Sequence, residues 1–297
     1  MSSLTNGTLQ AVRRGLTFTV LLLGLCARAD AADDAARPHA DPAAALKLFW
    51  QKNILTITGP QIPGGDVKVL YLEAYCRPGS SDRDWRDTVI GHTTELLAAD
   101  PGGRSLRLRC TLRDGVVVEH TITAAGDAVD FRVTANNPTK QASQAQWAQP
   151  CVRVDRFTGR GQADYLPKCF IFRHGKPVRL PFEPWAVKAR YIPGQVWCPK
   201  HVDRNDVNPR PLSEVVPSNG LIGCFSADDQ WILAMAWEPY QELFQGVIVC
   251  LHSDFRVGGL EPGETKTVRG KLYLVPARME ELLKRYENDF PEHMPTK

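Results

Sequence analysis

Four side chains have the types that acid–base chemistry uses: His252, Glu238, Asp254 and Arg153. In AWEPYQELFQGVIVCLHSDFR, residues 236–256, Glu238 ends one apolar strand. His252 and Asp254 close the next strand and share a face because they lie two apart. Strand pairing that sets Glu238 beside His252 would put a carboxylate within proton-transfer reach of an imidazole. His252 would then act as base or acid with Glu238 as its partner, while Asp254 orients the ring. Arg153 or Arg256 would neutralise an anionic or polar substrate group. The plainer reading is a surface histidine with a hydrogen-bonded neighbour and a glutamate at a strand end.

A second polar group sits in WCPKHVDRNDVNPRP, residues 197–211. Cys198-x-x-His201 supplies half of a structural zinc site, and no second pair of that kind completes it. Asp203-x-Asn205 opens like a calcium loop, but Val207 stands where the third oxygen ligand belongs and no glycine makes the turn. The pattern therefore assigns no metal and no cofactor. It leaves turn capping by the short polar side chains, with Pro209 and Pro211 stiffening the exit, or substrate binding through His201, Trp197 and Asp203. A metal-dependent hydrolase built on His201 and His252 is the remaining alternative.

Aromatic residues offer a binding platform. Trp85, Trp147, Trp185, Trp197 and Trp237 fall in polar loops and at strand ends, and an exposed ring face, being flat, apolar and lightly hydrated, stacks well on the C–H face of a ring-shaped ligand. Most tryptophans are core, so one or two of these are expected at a cleft, with Trp197 and Trp237 the candidates. His92 is a further binding candidate; Glu95, three residues on, faces the other side of a regular strand. The charged run 77–87 between them and the preceding strand reads as a solvated hairpin loop.

These groups need elements to hold them, and period-2 alternation dominates the chain. In SLRLRCTL, residues 105–112, Leu106, Leu108, Cys110 and Leu112 take one face and Arg107, Arg109 and Thr111 the other. Asp114-Gly115 is a tight-turn signal. The strands 116–124 and 128–136 follow, giving an antiparallel meander. Further strands are expected at 54–58, 67–76, 88–97, 146–154, 221–226, 231–237, 245–252 and 265–275. One helix is expected at 277–289, where Met279, Leu282, Leu283 and Tyr286 have helical spacing, and a short helical turn around 46–52. Residues 159–219 contain nine prolines and read as long loops laid across a sheet, where binding groups usually sit. The expected fold is all-β: a large antiparallel β-sandwich with long loops and a C-terminal helix.

Residues 1–31 have Arg13 and Arg14 ahead of an apolar run of about 11 residues, then Ala29-Asp30-Ala31, the form of a secretory signal peptide. That run is short of the roughly 20 residues a transmembrane helix needs, and no later segment is longer. Residues 32–45, rich in Ala, Asp and Pro, read as a flexible linker, leaving 46–297 as one domain. The implied location is secreted or periplasmic. The leader holds three Arg and one Asp, so its removal takes the formal charge from +3 to +1, which offers no footprint for nucleic acid. Seven cysteines remain, an odd number that leaves at least one thiol unpaired. Cys224 and Cys250, set in apolar runs, read as small buried hydrophobes.

In VDFRVTANNPTKQASQAQWAQPCVRVD a strand ends in an Asn-rich turn, crosses a polar bridge and enters a second strand. With GGLEPGETKTVRGKLYLVPA at 258–277, this order resembles the galactose mutarotase-like supersandwich. The resemblance covers about 150 residues and implies a sugar-facing fold. Aldose epimerases of that fold carry a catalytic histidine where this chain reads Gln149-Pro150-Cys151, so a plain mutarotase is not implied. The expectation is a carbohydrate-interacting protein whose partner is a sugar or polysaccharide. It would be either a glycan-processing enzyme of lyase or epimerase type or a non-catalytic envelope protein binding a glycan or another partner.

Overall fold

The computed structural model describes residues 45–294. The expected signal peptide, and the expected linker up to residue 44, lie outside the described residues. Seventeen strands follow in chain order: β1 (Lys47–Gln51), β2 (Ile54–Thr58), β3 (Asp66–Cys76), β4 (Val89–Ile90), β5 (His92–Ala99), β6 (Ser105–Leu112), β7 (Val117–Ala125), β8 (Ala128–Asn136) and β9 (Trp147–Arg153). The rest are β10 (Cys169–Arg173), β11 (Lys176–Arg179), β12 (Gln195–Trp197), β13 (Ile222–Phe225), β14 (Trp231–Glu238), β15 (Tyr240–Gln245), β16 (Cys250–Arg256) and β17 (Thr265–Pro276). Helices are few: α1 (Trp85–Thr88), α2 (Asp155–Thr158) and α3 (Met279–Asp289).

The strands form two antiparallel sheets. The first runs β1-β2-β3-β9-β16-β15-β12, with β4 also on β3; the second runs β11-β10-β13-β14-β17-β8-β7-β6-β5. The meander expected from alternation is β6-β7-β8, joined by the turn at Gly115, whose φ of 94° suits glycine. Aromatic contacts bridge the two sheets, among them Trp237 on Phe255 at 4.7 Å and Tyr71 on Phe131 at 5.5 Å. His120 of β7 reaches across to β3 and meets the hydroxyls of Tyr71 (2.9 Å) and Tyr75 (3.0 Å), one at each ring nitrogen. The architecture is an all-β sandwich with long loops and a C-terminal helix.

The sequence expectation departs from the structure at several places, one being residues 159–219, read as long loops but containing β10, β11 and β12. Residues 47–51 pair with β2 as a strand rather than forming a helical turn, because alternate burial of Leu48 suits a sheet edge. The expected strand 245–252 is instead a hairpin: β15 ends at Gln245 and β16 starts at Cys250. The turn between them exposes Val247 and Ile248, so their apolar character does not mark a strand interior. The expected strand 88–97 is divided among α1, β4 and β5. Each outer face is covered over part of its area. On the second sheet, Leu282 and Tyr286 of α3 and Phe290 after it pack against Phe170, Phe172, Ile232 and Tyr273. On the first sheet the covering comes from loops, and β9, β15 and β16 are consequently buried on both sides.

Candidate functional site

The loop-covered face of the first sheet is polar. Alternation sends Ala148 and Val152 of β9, with Leu251 and Phe255 of β16, into the sandwich core. Gln149 and Cys151, and Cys250, His252 and Asp254, therefore face outward. Register supplies their neighbours: Phe244 stands across from His252, and Glu242 across from Asp254. A register shift between Leu70 and Ala74 in β3 accompanies an exposed Glu73 at the rim, the kind of re-aiming that β-bulges produce.

The covering loop is fastened by hydrogen bonds. Asn208 donates its backbone N–H to both Glu242 oxygens, at 3.0 and 3.3 Å. The Gln241 amide donates to the Asp206 carbonyl. Arg256 Nη1 donates to Gln241 Oε1 (2.6 Å) and Asp206 Oδ2 (3.3 Å). Gly79 N–H donates to Asp206 Oδ1 (3.1 Å), and the Ser80 hydroxyl to the Val207 carbonyl (2.8 Å). Arg256 is thus spent on closing the loop.

Between sheet and loop lies a hollow of about 200 Å³. Its floor is Gln149, Cys151, Cys250 and His252; its walls include Glu73, Trp85, Tyr191, Asn208, Arg210 and Phe244, with Val247 and Ile248 at the hairpin. Arg210 lies 5.4 Å from the centre of the Tyr191 ring, and the Trp85 backbone N–H donates to the Tyr191 hydroxyl at 3.1 Å. These contacts fix the Tyr191 ring and the Trp85 backbone relative to each other.

Burial governs the titration of this floor. Glu242 is fully buried and its pKa is pushed up to about 8, with the Asp206 charge adding to the effect and the Asn208 N–H opposing it. Asp254 is raised well above the usual carboxylate range by burial and then by Glu242. Cys250 is lowered because Cys151 hydrogen-bonds to it and His252 lies beside it; the same bond, with burial, raises Cys151. Two floor atoms meet no hydrogen-bond partner among the described residues: Gln149 Oε1 and His252 Nδ1.

The structure brings His252 and Asp254 together, with His252 Nδ1 3.8 Å from Asp254 Oδ1. It does not bring Glu238 to them. Glu238 lines a separate hollow with His201, Tyr240 and His293, because Trp237 of β14 and Leu251 of β16 take the core face, which turns Glu238 and His252 away from the shared core on opposite sheets. Arg153, at the end of β9, lines a third hollow with Asp66, Lys68 and Arg156. His201 Nε2 is 3.3 Å from the Tyr240 carbonyl, so His201 and His252 do not share a site. Trp197 and Trp237 are 1% and 3% exposed and belong to the core, leaving no ring face for a ligand. Asp203 caps its own turn by accepting the Asn205 N–H at 2.9 Å. His92 packs edge-on against Tyr75 at 5.0 Å, away from the covered face. Cys198 is buried with Val196, Val202 and Val207.

Sequence reasoning missed Cys151, Cys250, Gln149, Glu73, Asn208 and Arg210. A signal was present for one pair: Cys250-x-His252 puts thiol and imidazole on the same strand face. Cys224 does behave as a small buried hydrophobe, in the core opposite Cys169. Among the described residues, no helix is long and apolar enough to cross a membrane.

No protein-family model and no curated protein matches the chain. Among solved structures it is similar to a proposed aldose 1-epimerase from Escherichia coli K12, at 12% identity and TM-score 0.41, covering 77% of this chain and 98% of that one. It is similar to a galactose mutarotase related enzyme from Lactobacillus acidophilus, at 8% identity and TM-score 0.40, covering 77% and 97%. An α-mannosidase from Enterococcus faecalis V583 matches at 11% identity and TM-score 0.46, covering 86% of this chain but 32% of that one. The chain thus bears a weak structural resemblance to the galactose mutarotase-like β-sandwich.

Proposed function

We propose that this chain is an exported glycan-binding protein whose hollow takes one sugar unit. The observation that carries this reading is the lining of the hollow: Glu73, Gln149, Asn208 and Arg210 beside the rings of Trp85, Tyr191 and Phe244. A sugar presents hydroxyls at its edge and C–H groups on its faces. It therefore asks for carboxylate, amide and guanidinium partners together with apolar ring surface. A volume of about 200 Å³ suits a single ring rather than an oligosaccharide, so any polymer would enter by one end or one branch.

Glycan processing is the second reading, and one feature favours it. Glu73 is exposed at the rim of the hollow, where a carboxylate can serve as general base. His252 is less suited to that role, being 2% exposed with its Nε2 3.3 Å from Cys250 Sγ.

Binding of the purified chain to a glycan array, with product analysis on the glycans retained, separates the readings. Binding without new reducing ends or unsaturated products supports the module. Turnover that Glu73→Gln abolishes supports the enzyme. Absence of binding to every glycan, or full binding by Arg210→Ala, would remove the assignment of the hollow.

A further inference from the structure

We infer that Cys151, Cys250 and His252 form a binding site for one thiophilic d10 metal ion, Zn2+ or Cu+, at the floor of the hollow. The inference goes beyond the sugar reading and does not rest on it.

The ligand atoms of the three residues lie within 4.8 Å of one another, and all three residues are buried. Cys250 Sγ and His252 Nε2 are 3.3 Å apart. Tetrahedral zinc, with bonds of about 2.3 Å to sulfur and about 2.0 Å to nitrogen, needs its donors about 3.5–3.8 Å apart, so small rotations suffice. Two thiolates and an imidazole select soft ions over Mg2+ or Ca2+. The three donors come from adjacent strands of a sheet, a rigid support for a metal site. The remaining coordination position opens on the hollow, which the same three residues line.

Two further observations point to a ligand here. His252 Nδ1 is buried without a partner and lies 3.8 Å from Asp254 Oδ1. A ligating histidine commonly turns its second nitrogen to a carboxylate in this way. Gly246 leaves the space: a Cβ at that position would stand 2.1 Å from Cys250 Sγ and 3.0 Å from His252 Nε2.

A disulfide is the competing use of the two thiols, and the ladder disfavours it. Cys250 pairs with Arg153, not with Cys151, so the cysteines are diagonal neighbours. Diagonal positions in an antiparallel pair are about 7–8 Å apart, beyond the roughly 4.4–6.8 Å between Cα atoms that a disulfide usually spans. A metal ion placed between the two sulfurs bridges that separation.

The test uses the full chain, purified under reducing conditions and titrated anaerobically with Co2+ as a zinc probe, then with Zn2+ and Cu+. The expected result is one equivalent bound, with sulfur-to-cobalt charge-transfer absorption. Bound metal should also slow alkylation of Cys151 and Cys250, the two thiols that line the hollow, as mapped by mass spectrometry. Competition between Zn2+ and Cu+ then assigns the ion. Cys250→Ser and His252→Asn should lose binding at least tenfold, while Cys198→Ser keeps it. If those variants do not fold, the protection pattern of the unaltered chain decides. No stoichiometric uptake, protection of other thiols, or a Cys151–Cys250 disulfide with no uptake after reduction would overturn the site. Failure to bind glycans leaves each of these readouts untouched.

Discussion

Glu238 Oε2 lies 2.6 Å from His293 Nε2, and the other ring nitrogen of His293 faces the Tyr286 hydroxyl. That hydroxyl also accepts the Gly220 N–H at 3.0 Å. Glu238 thus ties the end of β14 to the chain's final helix and to the start of β13. Its role is to hold elements together, at a distance from the cysteine–histidine floor.

Glu238→Ala should therefore lower stability by about 1–3 kcal/mol, the usual cost of stranding a buried hydrogen-bond partner, while leaving sugar affinity unchanged. Thermal unfolding and glycan titration of the same preparation check this. Lost glycan binding at an unchanged midpoint would return Glu238 to the site.

His120 makes the fold acid-sensitive. Burial, with the nearby His92 charge adding, lowers its pKa from 6.5 to about 3. Below pH 6.5 the unfolded chain takes up a proton that the native imidazole refuses. Stability contributed by the neutral ring is therefore fully present above that value and is lost as pH falls toward 3. The slope is about 1.4 kcal/mol per pH unit within that window. His120→Gln, which cannot titrate, should show a shallower fall in unfolding midpoint between neutral pH and about pH 4.5. Parallel curves for the two proteins would contradict this.

Gly246→Ala should cost about 1–3 kcal/mol through overpacking and should abolish metal uptake, because the new methyl would overlap the Cys250 sulfur. Gly161→Ala, whose Cβ would meet nothing closer than 3.9 Å, is the control and should be neutral in both assays. Metal uptake by Gly246→Ala equal to that of the native chain would contradict the packing argument.

Trp85→Ala should weaken glycan binding about tenfold, the loss of one aromatic platform. Its midpoint should fall as well, since the half-buried ring packs against Ala74, Cys76 and Trp147; Trp85→Phe, which keeps a ring there, should recover most of that loss. An affinity equal to that of the native protein would mean that the ring does not touch the ligand.

The sandwich is legible in the sequence where one face of a strand is wet. β6 to β8 alternate cleanly, and Gly115 marks their first turn. The covered face is not legible, because β9, β15 and β16 are buried on both sides and their polar residues lie under a loop. No local rule tells that Gln149, Glu242 or Asp254 is inside, since the covering loop comes from elsewhere in the chain. The pairing of Glu238 with His252 fails for a related reason: sequence nearness says nothing about which sheet each strand joins. Val247 and Ile248 conceal the turn between β15 and β16, so Cys250 and His252 look like the end of a strand that they in fact begin.

The most direct test of the central claim is a crystal structure of the chain soaked with the best glycan from the array. A sugar ring is expected between Trp85 and Arg210, with hydroxyls at Glu73 and Asn208. A ring bound instead beside Glu238 and His201, or an empty hollow with the glycan held elsewhere, would contradict it.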